Sequence, residues 1–91
     1  MAKLTEAQIT ESLANVQGWN RLDDEIIRIF EFSDFVQAMG FVTMVGLLAE
    51  RAHHHPDIDV RWNRVKLILT THSEGGLTTK DFELAQAIDT L

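Results

Sequence analysis

The chain contains no cysteine and no tyrosine, and its 91 residues include only one proline and five glycines. The lack of cysteine excludes disulfides, thiolate nucleophiles and the thiolate-rich zinc sites, so the fold does not depend on the redox state of its surroundings. With so few proline and glycine residues, no linker or low-complexity segment is visible. We therefore expect a single domain over residues 1–91.

Positive charge is also scarce, because eight Lys and Arg residues face fourteen Asp and Glu residues and give a net charge of −6. The cations are scattered along the chain, which argues against direct binding to nucleic acid. The first residues are acidic and polar and do not resemble a signal peptide. No uninterrupted apolar run approaches the ~18–20 residues of a membrane span. These absences predict a cytoplasmic protein with no membrane contact.

The spacing of apolar residues predicts the element order α-β-β-α-β-β-α. Two hairpins connected by helices indicate an α+β fold, in which a four-stranded antiparallel sheet is covered on one face by helices. The first hairpin is expected to turn at Asp23-Asp24 and the second at Asn63-Arg64. We predict helices over 5–16, 34–53 and 79–90, and strands over 19–22, 25–32, 59–62 and 65–71.

The predicted helix over 34–53 is apolar on more than one side. Its large apolar side chains cannot all point one way, and a helix that is apolar all round is normally buried all round. One side can cover the sheet, and a second copy of the chain is the expected cover for the other side. The residues concerned are Phe35, Val36, Met39, Phe41, Val42, Val45, Leu47 and Leu48.

Three of the four histidines are adjacent at residues 53–55 and are followed by Pro56, the only proline. Proline disfavours helical geometry at the residue before it, so the helix should end near His53 or His54. If the helix continues to His54, Glu50 lies one turn below and can orient the imidazole and stabilise its cationic form. His55 would then project in another direction.

His72 lies at the end of a predicted strand, just before a glycine-containing loop, where binding groups often lie. If the hairpin returns this end to the helix terminus, three histidines share one pocket. Adjacent histidines diverge by about 100° on a helix and match no spaced ligand motif, so we expect proton transfer without a metal ion. Simpler interpretations stay open for single residues: Glu50 as a solvated acid, Asp81 as a helix N-terminal partner, Trp19 and Trp62 as packing residues.

Seven positions in fixed order resemble the signature of the pterin-4a-carbinolamine dehydratase family: Glu50, His54-His55-Pro56, Trp62, His72 and Asp81. Three further segments are also similar to that family and extend the resemblance over nearly the whole chain. They are Gly18-Trp19-Asn20, Gly40-Phe41 and Gly76-Leu77-Thr78.

The resemblance implies a hydro-lyase that removes water from 4a-hydroxytetrahydrobiopterin to give the quinonoid dihydropterin, in tetrahydrobiopterin recycling. It implies homodimers or homotetramers and no metal or organic cofactor. It also implies catalytic roles for His54, His55 and His72. Residues that would contact the pterin are Glu50, Pro56, Trp62, Thr71, Ser73, Glu74 and Asp81.

Such a dehydration needs one group to protonate the departing hydroxyl and another to accept a proton from a ring nitrogen, and imidazole can do either. We expect His54, paired with Glu50, and His72 to transfer protons, and His55 mainly to bind the substrate. The family also includes a transcriptional coactivator, and related domains serve as assembly factors. A protein-binding module of the same fold is therefore the alternative.

Overall fold

A computed structural model describes residues 2–91, which form three α-helices and one four-stranded antiparallel sheet. The strand order is β1-β2-β4-β3, so β1 and β3 are the edges. The predicted α+β fold and element order are confirmed. The helices are α1 (Glu6–Leu13), α2 (Phe35–Ala52) and α3 (Thr79–Ile88), and the strands are β1 (Asn20–Leu22), β2 (Glu25–Glu31), β3 (Asp57–Arg61) and β4 (Arg64–Leu69).

Side-chain caps explain where the helices begin. Thr5 forms a reciprocal capping box with Gln8 at the start of α1, and the Asp34 carboxylate accepts a hydrogen bond from the Gln37 N–H at 2.9 Å. Thr78 caps α3 in the same reciprocal manner. Each cap satisfies backbone N–H groups that have no partner inside the helix.

The core lies between one face of the sheet and the helices. Alternate residues of β4 point into it, as the period of two along a strand requires, and one side of α2 packs opposite. Trp19 is also buried, and its indole Nε1 donates a hydrogen bond to Asp89 Oδ1 at 2.9 Å, which confirms it as a packing residue. The buried side chains of β4 and α2 are Val65, Leu67, Leu69, Ala38, Phe41, Val45 and Ala49.

The second hairpin turns one residue earlier than predicted, at Trp62 and Asn63, and β4 begins at Arg64. Trp62 has a left-handed backbone with φ 52°, and the Asn63 side-chain amide donates to the Phe32 carbonyl at 2.9 Å. That anchoring bond fixes Asn63 inside the turn. Asp23-Asp24 forms the first turn as predicted.

The outer side of α2 is exposed and carries a stripe of large apolar residues. The helix was expected to be buried on all sides, and within one chain it is buried on one side. By length and composition alone, α2 could also cross a membrane. That is weak evidence, because core helices of soluble proteins pass the same test, and here one side of α2 packs in the core. The exposed apolar residues are Phe35, Val36, Met39, Met44 and Leu47.

Candidate active site

The end of α2 directs the histidines along different paths. Helix α2 stops at Ala52, and His53 follows in a left-handed conformation with φ 52°. The His54 N–H then reaches back to the Ala49 carbonyl at 3.1 Å, as in other left-handed helix ends. The turn takes His54 and His55 off the helical path. The predicted contact between Glu50 and His54 required His54 to remain on that path.

His54 pairs with Asp81, and the predicted pairing with Glu50 is wrong. His54 Nε2 lies 2.5 Å from Asp81 Oδ1, with the two side chains 10% and 0% exposed. The second carboxylate oxygen, Oδ2, accepts hydrogen bonds from the Thr71 hydroxyl at 2.8 Å and the Thr78 N–H at 2.9 Å. A buried carboxylate is tolerated when donors surround it in this way.

Glu50 does pair with an imidazole, but the imidazole is that of His55. Glu50 Oε1 lies 2.7 Å from His55 Nε2, and the side chains of Glu50 and His55 are 80% and 61% exposed. The hydrogen bond with His55 and the charge of that imidazole lower the pKa of Glu50 below its ordinary value, and they outweigh the opposing effect of desolvation. Glu50 therefore stays ionised to lower pH than a free glutamate.

His72 opens a short 3₁₀ turn, His72–Glu74, held by a bridge between Thr71 and Gly76. Gly75 takes a left-handed φ of 74°, which glycine adopts without steric cost. His72 lines a cleft of about 390 Å³ beside the first hairpin turn. His54 lines a different cleft, of about 150 Å³, between α2 and α3.

The chain therefore brings the two predicted segments to one end of the sheet, but the expected single pocket is not formed within one chain, because His54 and His72 line different clefts. Thr71 and His54 contact the same carboxylate, and His72 follows Thr71 in sequence. Among residues 2–91, no hydrogen bond connects the rings of His54 and His72. Ser73 and Glu74 are exposed beside His72, and Pro56 is half-buried beside His55.

Trp62 lies away from this cluster. It occupies the turn after the five residues of β3, while His55 and Pro56 precede that strand. Five strand residues span about 16 Å, and Trp62 is largely exposed. Within one chain, the structure does not bring Trp62 to the histidines.

Thr78 belongs to the cluster, although the sequence interpretation assigned it no site role. The signal in the sequence is the capping-box spacing from Thr78 to Asp81, which by itself predicts only the start of a helix. The structure shows that Asp81 serves as both cap partner and imidazole partner. No group of three or more His, Asp or Glu side chains in residues 2–91 is arranged to hold a metal ion.

Two histidine–carboxylate pairs at one end of an α+β sheet define a small domain equipped for acid–base chemistry. A family model described as Pterin 4 alpha carbinolamine dehydratase matches residues 2–91. A protein of Chloroflexus aurantiacus, provisionally named pterin-4-alpha-carbinolamine dehydratase, is 56% identical over 98% of this chain and 96% of its own. A protein of Acidobacterium capsulatum with the same provisional name is 54% identical over 100% of this chain and 99% of its own. The chain belongs to the pterin 4 alpha carbinolamine dehydratase family, whose named activity is that of a hydro-lyase.

Solved structures agree on the fold. The crystal structure of a transcriptional coactivator/pterin dehydratase from Brucella melitensis matches with a TM-score of 0.92 and 38% identity, over 97% of this chain and 96% of that one. A pterin dehydratase-like protein, identified as a RuBisCO assembly factor in the alpha-carboxysome, matches with a TM-score of 0.66 over 79% and 83%. At 19% identity, this second likeness shows the fold alone.

Proposed function

We propose that the protein removes water from 4a-hydroxytetrahydrobiopterin to give quinonoid dihydropterin, in tetrahydrobiopterin recycling in the cytoplasm. The C4a–O bond breaks, the departing hydroxyl takes a proton from an acid and leaves as water, and a base removes a proton from a ring nitrogen. The observation that carries the proposal is the buried His54–Asp81 pair, which lies at the same end of the sheet as His72. Oriented imidazoles are suited to both proton transfers near neutral pH.

His54 and His72 are the proposed proton-transfer groups. Asp81 occupies Nε2 of His54, which leaves Nδ1 as the nitrogen available to a ligand. Asp81 replaces Glu50 in the assignment made from the sequence. His72, on the segment that follows β4, is exposed beside a cleft and can contact a ligand there.

Substrate binding is assigned to the exposed groups around these two histidines. His55, held by Glu50, would bind the flat heterocycle beside Pro56. Ser73 and Glu74, which follow Thr71 and are exposed, would contact the pterin. Trp62 is left out because it lies at the far end of the β3–β4 hairpin.

The test is dehydration of enzymatically generated 4a-hydroxytetrahydropterin by the purified protein. The His72→Ala variant should lose about 10²–10⁴-fold in rate, the usual contribution of a general acid or base, with an unchanged circular dichroism spectrum. His53→Asn is the matched control: it removes a neighbouring imidazole with a residue that accepts the left-handed backbone. Equal rates in His72→Ala and the wild type would contradict the assignment of His72.

The exposed apolar stripe of α2 supports a homodimer or homotetramer. Leu47 is 68% exposed at the C-terminal end of this stripe, and leaving several large apolar side chains together in water is uncommon for a monomer. Leu47→Glu should shift the sedimentation coefficient to a smaller species, while Gln17→Glu, which adds the same charge outside α2, should not. An unchanged coefficient for Leu47→Glu would place the subunit contact elsewhere.

A protein-binding module is the second candidate. The same α2 stripe would suit a protein partner, and the two solved structures named above are described as a coactivator and an assembly factor. The dehydration assay separates the candidates, because a module without catalytic function would leave the uncatalysed rate unchanged at any protein concentration.

A further inference from the structure

We infer that Thr71 and Thr78 are positioning residues that fix, through Asp81, which nitrogen of His54 carries a proton. The inference rests on the proposed function for its effect on the reaction rate. Its effect on the His54 ring can be measured without any substrate. It also changes the part assigned to Thr71, which the sequence interpretation placed in contact with the pterin.

The hydroxyls of Thr71 and Thr78 form a directed chain that ends on Asp81. Thr71 Oγ1 lies 2.8 Å from Asp81 Oδ2 and 2.9 Å from Thr78 Oγ1. A hydroxyl carries one proton, and an ionised carboxylate can only accept. Because Thr71 gives its proton to Asp81, the bond between the two hydroxyls must be donated by Thr78.

The backbone completes this arrangement. The Thr78 N–H also donates to Asp81 Oδ2, at 2.9 Å, and the Lys80 N–H donates to Thr78 Oγ1, at 3.3 Å. Oδ2 therefore has two donors, and Oδ1 is left to face His54. Thr78 and Asp81 are 0% exposed and Thr71 is 7% exposed, so water does not compete for these bonds.

A carboxylate held by these donors is a pure acceptor, so the His54 nitrogen that faces it must carry a proton. That nitrogen is Nε2, 2.5 Å from Oδ1. In the neutral ring, Nδ1 is then the unprotonated nitrogen, the one that accepts a proton or returns it to a ligand. The threonines thus act on His54 without touching the substrate.

The same hydrogen bonds hold the Thr71 hydroxyl in the interior of the protein. Its only proton is given to Asp81, and its oxygen accepts from Thr78. A substrate contact through this hydroxyl would have to break the network. Loss of the hydroxyl should therefore lower kcat and leave KM nearly unchanged.

The experiment compares Thr71→Val and Thr78→Val, which remove only the hydroxyl at nearly constant volume, with Thr71→Ser and Thr78→Ser, which restore it. Long-range ¹H–¹⁵N NMR of the substrate-free protein reports the tautomer of each histidine, and His54→Gln assigns the His54 signals. The valine variants should lose the uniform Nε2–H form of His54. They should also lose kcat by about tenfold, the size expected for one lost hydrogen bond to a charged group.

The serine variants should retain both the Nε2–H form and kcat. Thr43→Val is the matched control, because the Thr43 hydroxyl donates to the Met39 carbonyl of its own helix and lies outside the cluster. Should Thr78→Val fail to fold, Thr71→Val and the two serine variants carry the same test.

A valine variant that loses thermal stability alone, with tautomer and kcat unchanged, would overturn the inference in favour of a purely structural network. A rise in KM at constant kcat for Thr71→Val would overturn it too, because it would place the Thr71 hydroxyl on the pterin. If the tautomer changes while even the wild-type protein dehydrates nothing, the inference stands and the proposed function fails.

Discussion

His54 with Asp81 and His55 with Glu50 are both imidazole–carboxylate pairs, but their surroundings are very different. Their contact distances are similar, at 2.5 Å and 2.7 Å, but the first pair is buried and the second is mostly in water. Asp81 also has Thr71 and Thr78 as donors, whereas among residues 2–91 the Glu50 carboxylate pairs with His55 alone. The buried pair can therefore fix the orientation of the His54 ring. In the exposed pair, water can take the place of either partner, His55 or Glu50.

Physical chemistry explains why only the buried pair can be rigid. Water and salt compete with an exposed ion pair, and holding two mobile side chains together costs conformational entropy. A buried carboxylate has no such substitute, so each missing donor would leave an unsatisfied group. This contrast supports the proposal that His54 transfers protons and that His55 has the more adaptable task of binding.

The largest expected effect is on stability, from Asp81→Ala. Removing this carboxylate leaves His54, the Thr71 hydroxyl and the Thr78 N–H without their acceptor inside the protein. Breaking a buried pair typically costs about 3–5 kcal/mol in the free energy of unfolding, which urea denaturation can measure. Glu50→Ala is the matched control, and a similar loss in both variants would abolish the contrast between the pairs.

A smaller effect is expected at His53, the left-handed residue that separates the two pairs. A residue with a side chain pays a steric penalty there that glycine avoids. His53→Gly should raise the free energy of unfolding by up to about 1 kcal/mol and leave dehydration unchanged. A clear loss of stability, measured by the same denaturation, would mean that the His53 imidazole contributes contacts of its own.

The smallest effect is the pH dependence of the exposed pair. The pKa of Glu50 is lowered in the folded protein from its ordinary 4.5, so folding favours the ionised form. The resulting stability is present above the ordinary pKa and is lost as the pH falls through the lower folded value. The urea midpoints of wild type and Glu50→Gln should therefore converge on acidification and in 1 M salt.

If the urea midpoints of wild type and Glu50→Gln still differed in acid and in high salt, the pair of Glu50 and His55 would not be the screened, exposed contact described above.

The sequence predicted the fold because its signals are local. Thr5, Asp34 and Thr78 mark the helix starts, and alternation in β4 marks the buried face of the sheet. The end of α2 was also placed within a residue or two, because Pro56 restricts the backbone before it. None of these inferences depends on contacts between distant parts of the chain.

The pairing of the imidazoles could not be predicted in the same way. It depends on the left-handed turn at His53, which glycine would have signalled and histidine does not. It also depends on α3 carrying Asp81 to the end of α2, a tertiary contact between residues 27 apart in sequence. The spacing from Thr78 to Asp81 is that of a helix cap, but only the folded chain shows that Asp81 also faces His54.

The most direct test is the steady-state dehydration kinetics of His54→Ala and His55→Ala, measured side by side on generated 4a-hydroxytetrahydropterin. We expect His54→Ala to lower kcat by about 10²–10⁴-fold with little change in KM, as for loss of a proton-transfer group. We expect His55→Ala chiefly to raise KM. Wild-type kcat in His54→Ala, with the loss of kcat found in His55→Ala instead, would contradict the assignment of catalysis to the buried pair.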